Sequence, residues 1–373
     1  MKYDVIVGGG GTAGVAAAIA AARGGAKTLV VEKYGHLGGT AVSGIPFLGS
    51  MDCNGEVVNR GIFSELIEQM EAEGGCYGHA AGAYWHTPDS PDRYRFSLVP
   101  FDPECYKYVA QELVLGAGAK ILYHTFISNV FMDGNRVKAI EVVNKSGKQI
   151  IEADVFIDCT GDADLVHLAG GNFIDNPHKQ NCSILFRIGN VDLKQFVVDL
   201  REGKTVTGWG EWHTRIVKVQ DNNSFPTPVI HLAGHFMLGE SEPETTFTAV
   251  SLRDGEISLN ATRVAGLSGV NAEEITQAEI LERRNVMRLL KLMKEKVPAF
   301  RDARHEFFHY IEQRDNMRVN EMLPKVVTFR FLGLQRKATI LTLSEVAAHS
   351  FSKELLRLPH YPYLYDKLYA LSL

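Results

Sequence analysis

Hydrophobic and polar positions change period several times along the chain, and each change marks an element. Tyr3–Val7 is a short apolar run of the kind a buried strand needs. From Thr12 the sequence turns to small helix formers, "TAGVAAAIAAAR", and "RGG" at 23–25 stops that helix. A second apolar run, "AKTLVVE", predicts a strand ending in Glu32. Residues 51–100 read as an insertion. In it "GIFSELIEQMEAEGG" is an amphipathic helix with a glycine stop, and "YWHTPDSPDRYRFSLVPFDP" is a turn-rich aromatic loop. Asp102 followed by Pro103 starts the next helix, because the carboxylate can cap orphan amides and proline needs no donor in a first turn.

Past that helix, Lys120–Tyr123 predicts a strand that leads into alternating segments separated by "DGN" and "KSG". Residues 181–270 are mostly strand-like, with "TTFTAVSLRDGEISLNATRV" a hairpin turning at "DG". Asn271 and Glu274 then form a cap pattern for a long packing helix over 272–296, which Pro298 ends. The expected fold class is α/β, a parallel sheet with a β-meander, interleaved with a mostly β second domain. Its boundaries fall at 1–180, 181–305 and an atypical segment 306–373.

Composition narrows the partners. A hydrophobic content of 45% and a charged content of 22% are ordinary for a globular protein. The formal net charge of −5 leaves no basic excess for phosphate backbones, which argues against nucleic acid. The longest apolar stretch, around Val15–Ala22, is too short to span a bilayer, so no membrane association is expected. Cys53, Cys76, Cys105, Cys159 and Cys182 contain no Cys-x-x-Cys pair. Their odd number, with no signal-peptide pattern, points to free thiols and a cytoplasmic location. A small-molecule substrate is the partner class left, and homo-oligomerisation stays open.

The candidate chemistry lies first in "VGGGGTAG". Read as G-x-G-x-x-G, it assigns Gly9 to the tight turn, Gly11 to close backbone approach of a pyrophosphate, and Gly14 to helix–strand packing. Gly8 and Gly10 have no required role in that register. The amides at Thr12 and Ala13, in the first helical turn, would face phosphate oxygens. Glu32, about 20 residues on, has the placement of a ribose-binding carboxylate and disfavours an extra phosphate there; Lys33 follows it. A second glycine pair, Gly38 and Gly39, comes six and seven residues after the acid, and Thr40 follows. A loop of that kind can run along an extended dinucleotide.

With these residues the chain resembles the FAD-dependent oxidoreductases of the glutathione-reductase-like class. More narrowly, it resembles bacterial FAD-dependent oxidoreductases related to the fumarate reductase flavoprotein group. The resemblance covers about residues 1–305 and implies a Rossmann-like FAD-binding domain, FAD as cofactor, and a substrate domain covering the flavin. It further implies that Ile127 contacts the adenine through its backbone. In "VFIDCTGDAD" it matches Thr160, Gly161 and Asp162 to the end of the second nucleotide strand. Read without the resemblance, the same stretch is a turn before a helix starting near Ala163, with Asp162 as its cap.

Several residues stay open. His79, His86 and Arg93 lie in the expected loop, where substrate-facing side chains often sit. Asn260 and Arg263 are candidates for a carboxylate or carbonyl substrate, or for a surface ion pair. "HEFFH" fits H-E-x-x-H through His305, Glu306 and His309, with Glu345 a formal further ligand, and would make a metal-binding hydrolase the minor reading; no metal is expected. After 305 only Gly333 remains of the chain's 35 glycines, so a close flavin approach by that segment is not expected. Residues 326–356 read as a strand and a helix. Two main readings follow: a flavoenzyme moving a hydride between a small organic substrate and FAD, or a nucleotide-binding remnant with an incomplete flavin end. No catalytic residue stands out.

Overall fold

In the computed structural model the described residues are 2–44, 46–52, 56–76, 78–85, 93–172, 180–210, 230–238, 245–252, 255–303, 326–331 and 334–338. The chain opens with β1 (Lys2–Gly8), α1 (Thr12–Arg23) and β2 (Thr28–Val31). β2 lies parallel to β1, with Val5 opposite Thr28 and Gly8 opposite Val31. This strand–helix–strand unit follows from a fully buried β2, a β1 buried at Tyr3 and over Ile6–Gly8, and a helix whose buried face is mostly alanine, valine and isoleucine.

The next stretch holds β3 (Phe47–Leu48), α2 (Ile62–Ala72), β4 (Ala80–Trp85), β5 (Arg93–Val99) and α3 (Pro103–Gly116). Asp102 caps α3 as its sequence predicts, accepting from the amides of Glu104 at 2.8 Å and Cys105 at 3.4 Å. The expected aromatic loop is corrected here: β4 and β5 pair antiparallel from Ala80–Leu98 to Trp85–Arg93, so Arg93 opens a strand. The alternating "YRFSLV" has the period-2 pattern of a strand, and the turn residues Pro88 to Asp92 concentrate in the middle. His86 lies outside the described residues. His79 packs edge-on to Phe63, with ring centroids 6.2 Å apart.

β6 (Lys120–Leu122) adds parallel to β2. β7 (Phe126–Asp133), β8 (Arg136–Asn144) and β9 (Gly147–Asp158) form the meander expected from "DGN" and "KSG". The first half of β9 pairs antiparallel with β8. Its second half runs parallel to β1, from Lys2 opposite Glu152 to Gly8 opposite Asp158. The sheet order is therefore β6-β2-β1-β9-β8-β7. One of its cores joins Val7, Val15, Ala18, Ile19 and Val30 to Val109, Ala110 and Leu113 of α3. The other joins Tyr3, Ile6, Leu29 and Val31 to Val130, Ile140 and Ile151 of the meander. The alternation of strand side chains sends Ile6 and Val7 to opposite cores.

After α4 (Asp164–Leu168) come β10 (Leu185–Gly189), α5 (Leu193–Glu202), β11 (Val206–Gly210), β12 (Ile230–Phe236), β13 (Thr245–Ser251) and β14 (Glu256–Asn260). The five strands form an antiparallel sheet in the order β10-β14-β13-β12-β11. α5 is absent from the sequence reading. Its signals are Asp192, which accepts from Gln195 N, and Gly203 at φ 65°. α6 (Ala272–Lys296) follows, and Asn271 accepts from Glu273 N and Glu274 N at 3.0 Å each. Leu289, Leu290 and Met293 of α6 pack with Phe196, Phe236, Phe247 and Phe300 against Ile257 and Leu259.

Met1–His305 is one compact unit and Glu306–Leu373 another. The second contains a hairpin, β15 (Val326–Phe331) with β16 (Leu334–Ala338). Two adjacent strands thus stand in part of the stretch read as a strand and a helix, and its remainder lies outside the described residues. His305, Glu306, His309 and Glu345 lie outside them too.

Candidate cofactor site

Three backbone turns converge at the end of β1. Gly9 has φ 92°, and a Cβ there would sit 2.3 Å from the Cys159 carbonyl oxygen. A Cβ at Gly14 would sit 1.9 Å from the Gly9 carbonyl oxygen. The chain's own packing therefore demands both glycines. Gly11 differs. It is the N-cap of α1 at φ −66°, and the nearest heavy atom to a Cβ there would be Gly39 Cα at 4.0 Å. Thr12 and Ala13 are exposed beside it. Among the described residues no side chain caps α1, and its first turn carries no acid. The first amides of α1 thus have no capping side chain at the positive end of the helix dipole, an arrangement that suits a phosphate.

Gly8 and Gly10 have roles after all. A Cβ at Gly10 would lie 2.5 Å from Leu37 Cδ2 and 3.1 Å from Glu32 Oε2. One at Gly8 would lie 2.7 Å from Leu165 Cδ1 and 3.0 Å from Ile127 Cδ1. Both depend on residues distant in sequence, which a local motif does not reveal. Ile127 itself sits in β7 opposite Val142, with its side chain against Gly8.

Glu32 is 5% exposed at the tip of β2. Its Oε2 accepts from Gly10 N at 2.6 Å and its Oε1 from Tyr34 N at 2.8 Å. The carboxylate braces the glycine turn, and each oxygen keeps a second lone pair that can accept a ribose hydroxyl. Lys33 Nζ lies 5.3 Å from the Tyr34 ring centroid, and Tyr34 stacks on His36 at 5.7 Å. The second glycine loop is tied to the first. Gly38 N donates to Gly10 O at 2.8 Å, and Gly11 and Gly38 form a parallel bridge. A Cβ at Gly39 would lie 3.0 Å from Gly11 Cα. Thr40 follows in the 3₁₀ turn Gly39–Ser43, and its carbonyl accepts from Ser43 Oγ.

The third turn is organised by Asp158, a residue the sequence reading passes over. Its Oδ1 accepts from Thr160 N at 3.1 Å and from Thr160 Oγ1 at 2.7 Å; its Oδ2 accepts from Val166 N at 3.0 Å. Thr160 Oγ1 in turn accepts from Asp164 N at 2.8 Å. The cap expected of Asp162 is thus corrected: α4 starts at Asp164, and Thr160 and Asp158 satisfy its amides, while Asp162 stays exposed. The Thr160 hydroxyl has its proton committed inside the turn. Gly161 takes φ 96° with nothing within 4 Å of a Cβ position, which leaves its backbone approachable. Burial pushes the Asp164 carboxyl up, helped by Asp162 and opposed by Lys33. Burial also raises the Cys159 thiol, with Asp158 adding to it.

Of the candidate substrate residues, Asn260 ends β14 and its Oδ1 accepts from Ser183 Oγ. Arg263 lies past the strand, where its charge acts on Glu282 of α6. Among the described residues no group of three or more His, Cys, Asp or Glu side chains is placed to hold a metal, and no helix is long and apolar enough to cross a membrane.

Uncapped amides on a glycine floor, with a buried carboxylate one strand away, have the form of a dinucleotide site in a Rossmann-like α/β fold. The chain belongs to the FAD dependent oxidoreductase family, whose model matches residues 4–320, and FAD is the cofactor of this family. The match extends past the limit near 305 that the sequence reading sets. The chain is also similar to a geranylgeranyl bacteriochlorophyll reductase-like protein of Thermoplasma acidophilum, at 17% identity and a TM-score of 0.48, over 82% of this chain and 64% of that one. It is similar to the myxobacterial chondrochloren halogenase CndH, at 15% identity and a TM-score of 0.49, over 91% of this chain and 64% of that one. A third is the flavin-dependent monooxygenase PieE, at 16% identity and a TM-score of 0.46, over 76% and 46%. The chain thus spans 64% of the length of the first two.

Proposed function

We propose that this chain carries a flavoenzyme of the glutathione-reductase-like class that moves a hydride between a small organic substrate and FAD. The observation that carries the reading is Gly11. It is the glycine of the motif at which a Cβ would meet only a van der Waals contact, Gly39 Cα at 4.0 Å, and the exposed residues Thr12 and Ala13 follow it. Their amides would hold the pyrophosphate, Glu32 the ribose, and the backbone at Gly38, Gly39 and Gly161 would approach the rest of the chain of atoms. Thr40 and Asp162 follow two of these turns in sequence, Lys33 follows Glu32, and the Ile127 side chain lies against Gly8. Bound FAD supplies a two-electron acceptor at flavin N5. The protein's part is to hold the substrate in line and keep water away.

The absence of a Cys-x-x-Cys pair turns the reading away from disulfide reduction. Among the described residues Cys76, Cys105, Cys159 and Cys182 form no disulfide, which supports a reducing, cytoplasmic setting. Anaerobic photometry of the FAD-loaded protein tests the hydride step, with small alcohols, amines and hydroxy acids and their α-deuterated forms as reductants. Bleaching of the flavin band that deuterium slows is the expected result. A holoprotein that only one-electron donors reduce would contradict it.

A further inference from the structure

The second sheet buries one face in an apolar core, and its other face, which carries the polar residues of β14, adjoins the cofactor loops. Ile257 and Leu259 of β14 point into the core, so Glu256, Ser258 and Asn260 point the other way. In register, Arg187 of β10 lies opposite Ser258, and Thr248 of β13 lies opposite Asn260. Arg187, Thr248, Ser258 and Asn260 are all half-buried. The contact with the cofactor side is direct: a Cβ at Gly44, which closes the 3₁₀ turn begun at Gly39, would lie 3.3 Å from Ser258 Oγ. This face is therefore one helical turn from the glycine loop that touches Gly11.

Its electrostatics are specific. Arg187 Nε lies 3.2 Å from Glu256 Oε1, and the Glu256 side chain is only 11% exposed. The guanidinium is thus matched by a buried carboxylate on its own sheet. The other described groups near the pair on this face are Leu185, Ser258, Thr248 and Asn260 with Ser183 beside it, none of them charged; His235 of β12, opposite Thr246, shares the face two strands away from β14. A carboxylate ligand would have to draw Arg187 away from Glu256 and sit beside a like charge. An uncharged polar group meets no such opposition.

We infer that this face is the substrate-recognition surface, and that the Arg187–Glu256 pair makes it select an uncharged hydrogen-bonding substrate, an alcohol, carbonyl or amide, over a carboxylate. The inference deepens the flavoenzyme reading and rests on it for the word substrate. Calorimetric titration of FAD-loaded and FAD-free protein with benzamide and benzoate, and with acetamide and acetate, tests it. In wild type each amide is expected to bind at least tenfold more tightly than its carboxylate. Glu256→Gln should release Arg187, tightening benzoate at least tenfold while benzamide changes less than threefold. Adding Arg187→Gln should cancel the gain. Carboxylate preference in wild type, binding of neither probe, or a ratio unmoved by Glu256→Gln in a variant with wild-type circular dichroism each overturns it. Flavin content is read separately. Amide preference in a protein that never takes up FAD would sink the flavoenzyme reading and leave the charge selection standing.

Discussion

Gly11→Ala and Gly14→Ala separate what the glycine turn does for the fold from what it does for the cofactor. At Gly14 the new Cβ would stand 1.9 Å from the Gly9 carbonyl oxygen, which is backbone and cannot rotate aside. α1 must move off the turn by more than an ångström. Overpacking of that kind costs about 1–3 kcal/mol or more. At Gly11 the Cβ meets nothing nearer than 4.0 Å, and φ −66° suits alanine. Alanine is the poorer N-cap, but it lowers the entropy of the unfolded chain by about 0.4–1 kcal/mol, so the two effects largely cancel. Thermal unfolding of FAD-free protein should therefore show Gly11→Ala near wild type and Gly14→Ala clearly destabilised. Binding is expected to reverse the ranking at Gly11: the methyl occupies the space that a pyrophosphate needs. A loss of at least tenfold in FAD affinity, about 1.4 kcal/mol, is expected from fluorescence-quenching titration. Wild-type affinity in Gly11→Ala would refute the placement, and so would unfolding of that variant without cofactor.

Glu32→Ala should behave unlike Gly11→Ala, because it strands the amides of Gly10 and Tyr34. Losing two charge-assisted bonds in a buried site costs about 3 kcal/mol or more, so melting temperature and FAD affinity should fall together. A change in affinity alone would contradict the bracing role. Glu282 in α6 is 1% exposed, and among the described residues its carboxylate has at most a weak contact with Thr262; burial raises its carboxyl above the usual range, opposed by Thr262 and by the charge of Arg263. A raised folded-state value means that wild type is favoured while the group is protonated, below the unfolded value near 4.5, and loses stability as pH rises through the folded value. Glu282→Met should therefore stabilise by about 1–3 kcal/mol at pH 8, with the gain shrinking toward pH 4. A melting-temperature difference that does not vary over that range would show the carboxyl to be unperturbed.

The parts of this fold that local chemistry dictates were readable from sequence. Two apolar runs around an alanine helix specify the first βαβ unit. Asp102–Pro103 and Asn271 mark helix starts where the structure has them, and "DGN" and "KSG" place the meander turns. What escaped depends on partners far along the chain. Gly8 and Gly10 look dispensable until Leu165, Ile127, Leu37 and Glu32 arrive beside them. Asp162 is a plausible cap on spacing, but Asp158 lies at the strand end with both oxygens aimed at the turn and takes the role. The β4–β5 pair was obscured by the Pro-, Asp- and Ser-rich middle of its segment. α5 carries its signals in Asp192 and Gly203, within a stretch where strand patterns dominate. On the face proposed for substrate, Asn260 was visible as a polar strand end. The Arg187–Glu256 pair was not, because it forms only when β10 and β14 are in register.

The central claim is that this chain, through Gly11, Glu32 and the Gly38–Gly39 loop, holds FAD. Its most direct test is the absorption spectrum of the purified full chain, with the cofactor released by heat, identified and counted. The expected result is flavin bands and close to one FAD per chain, either as purified or after adding FAD to the stripped protein. A colourless protein that binds no added FAD would contradict it.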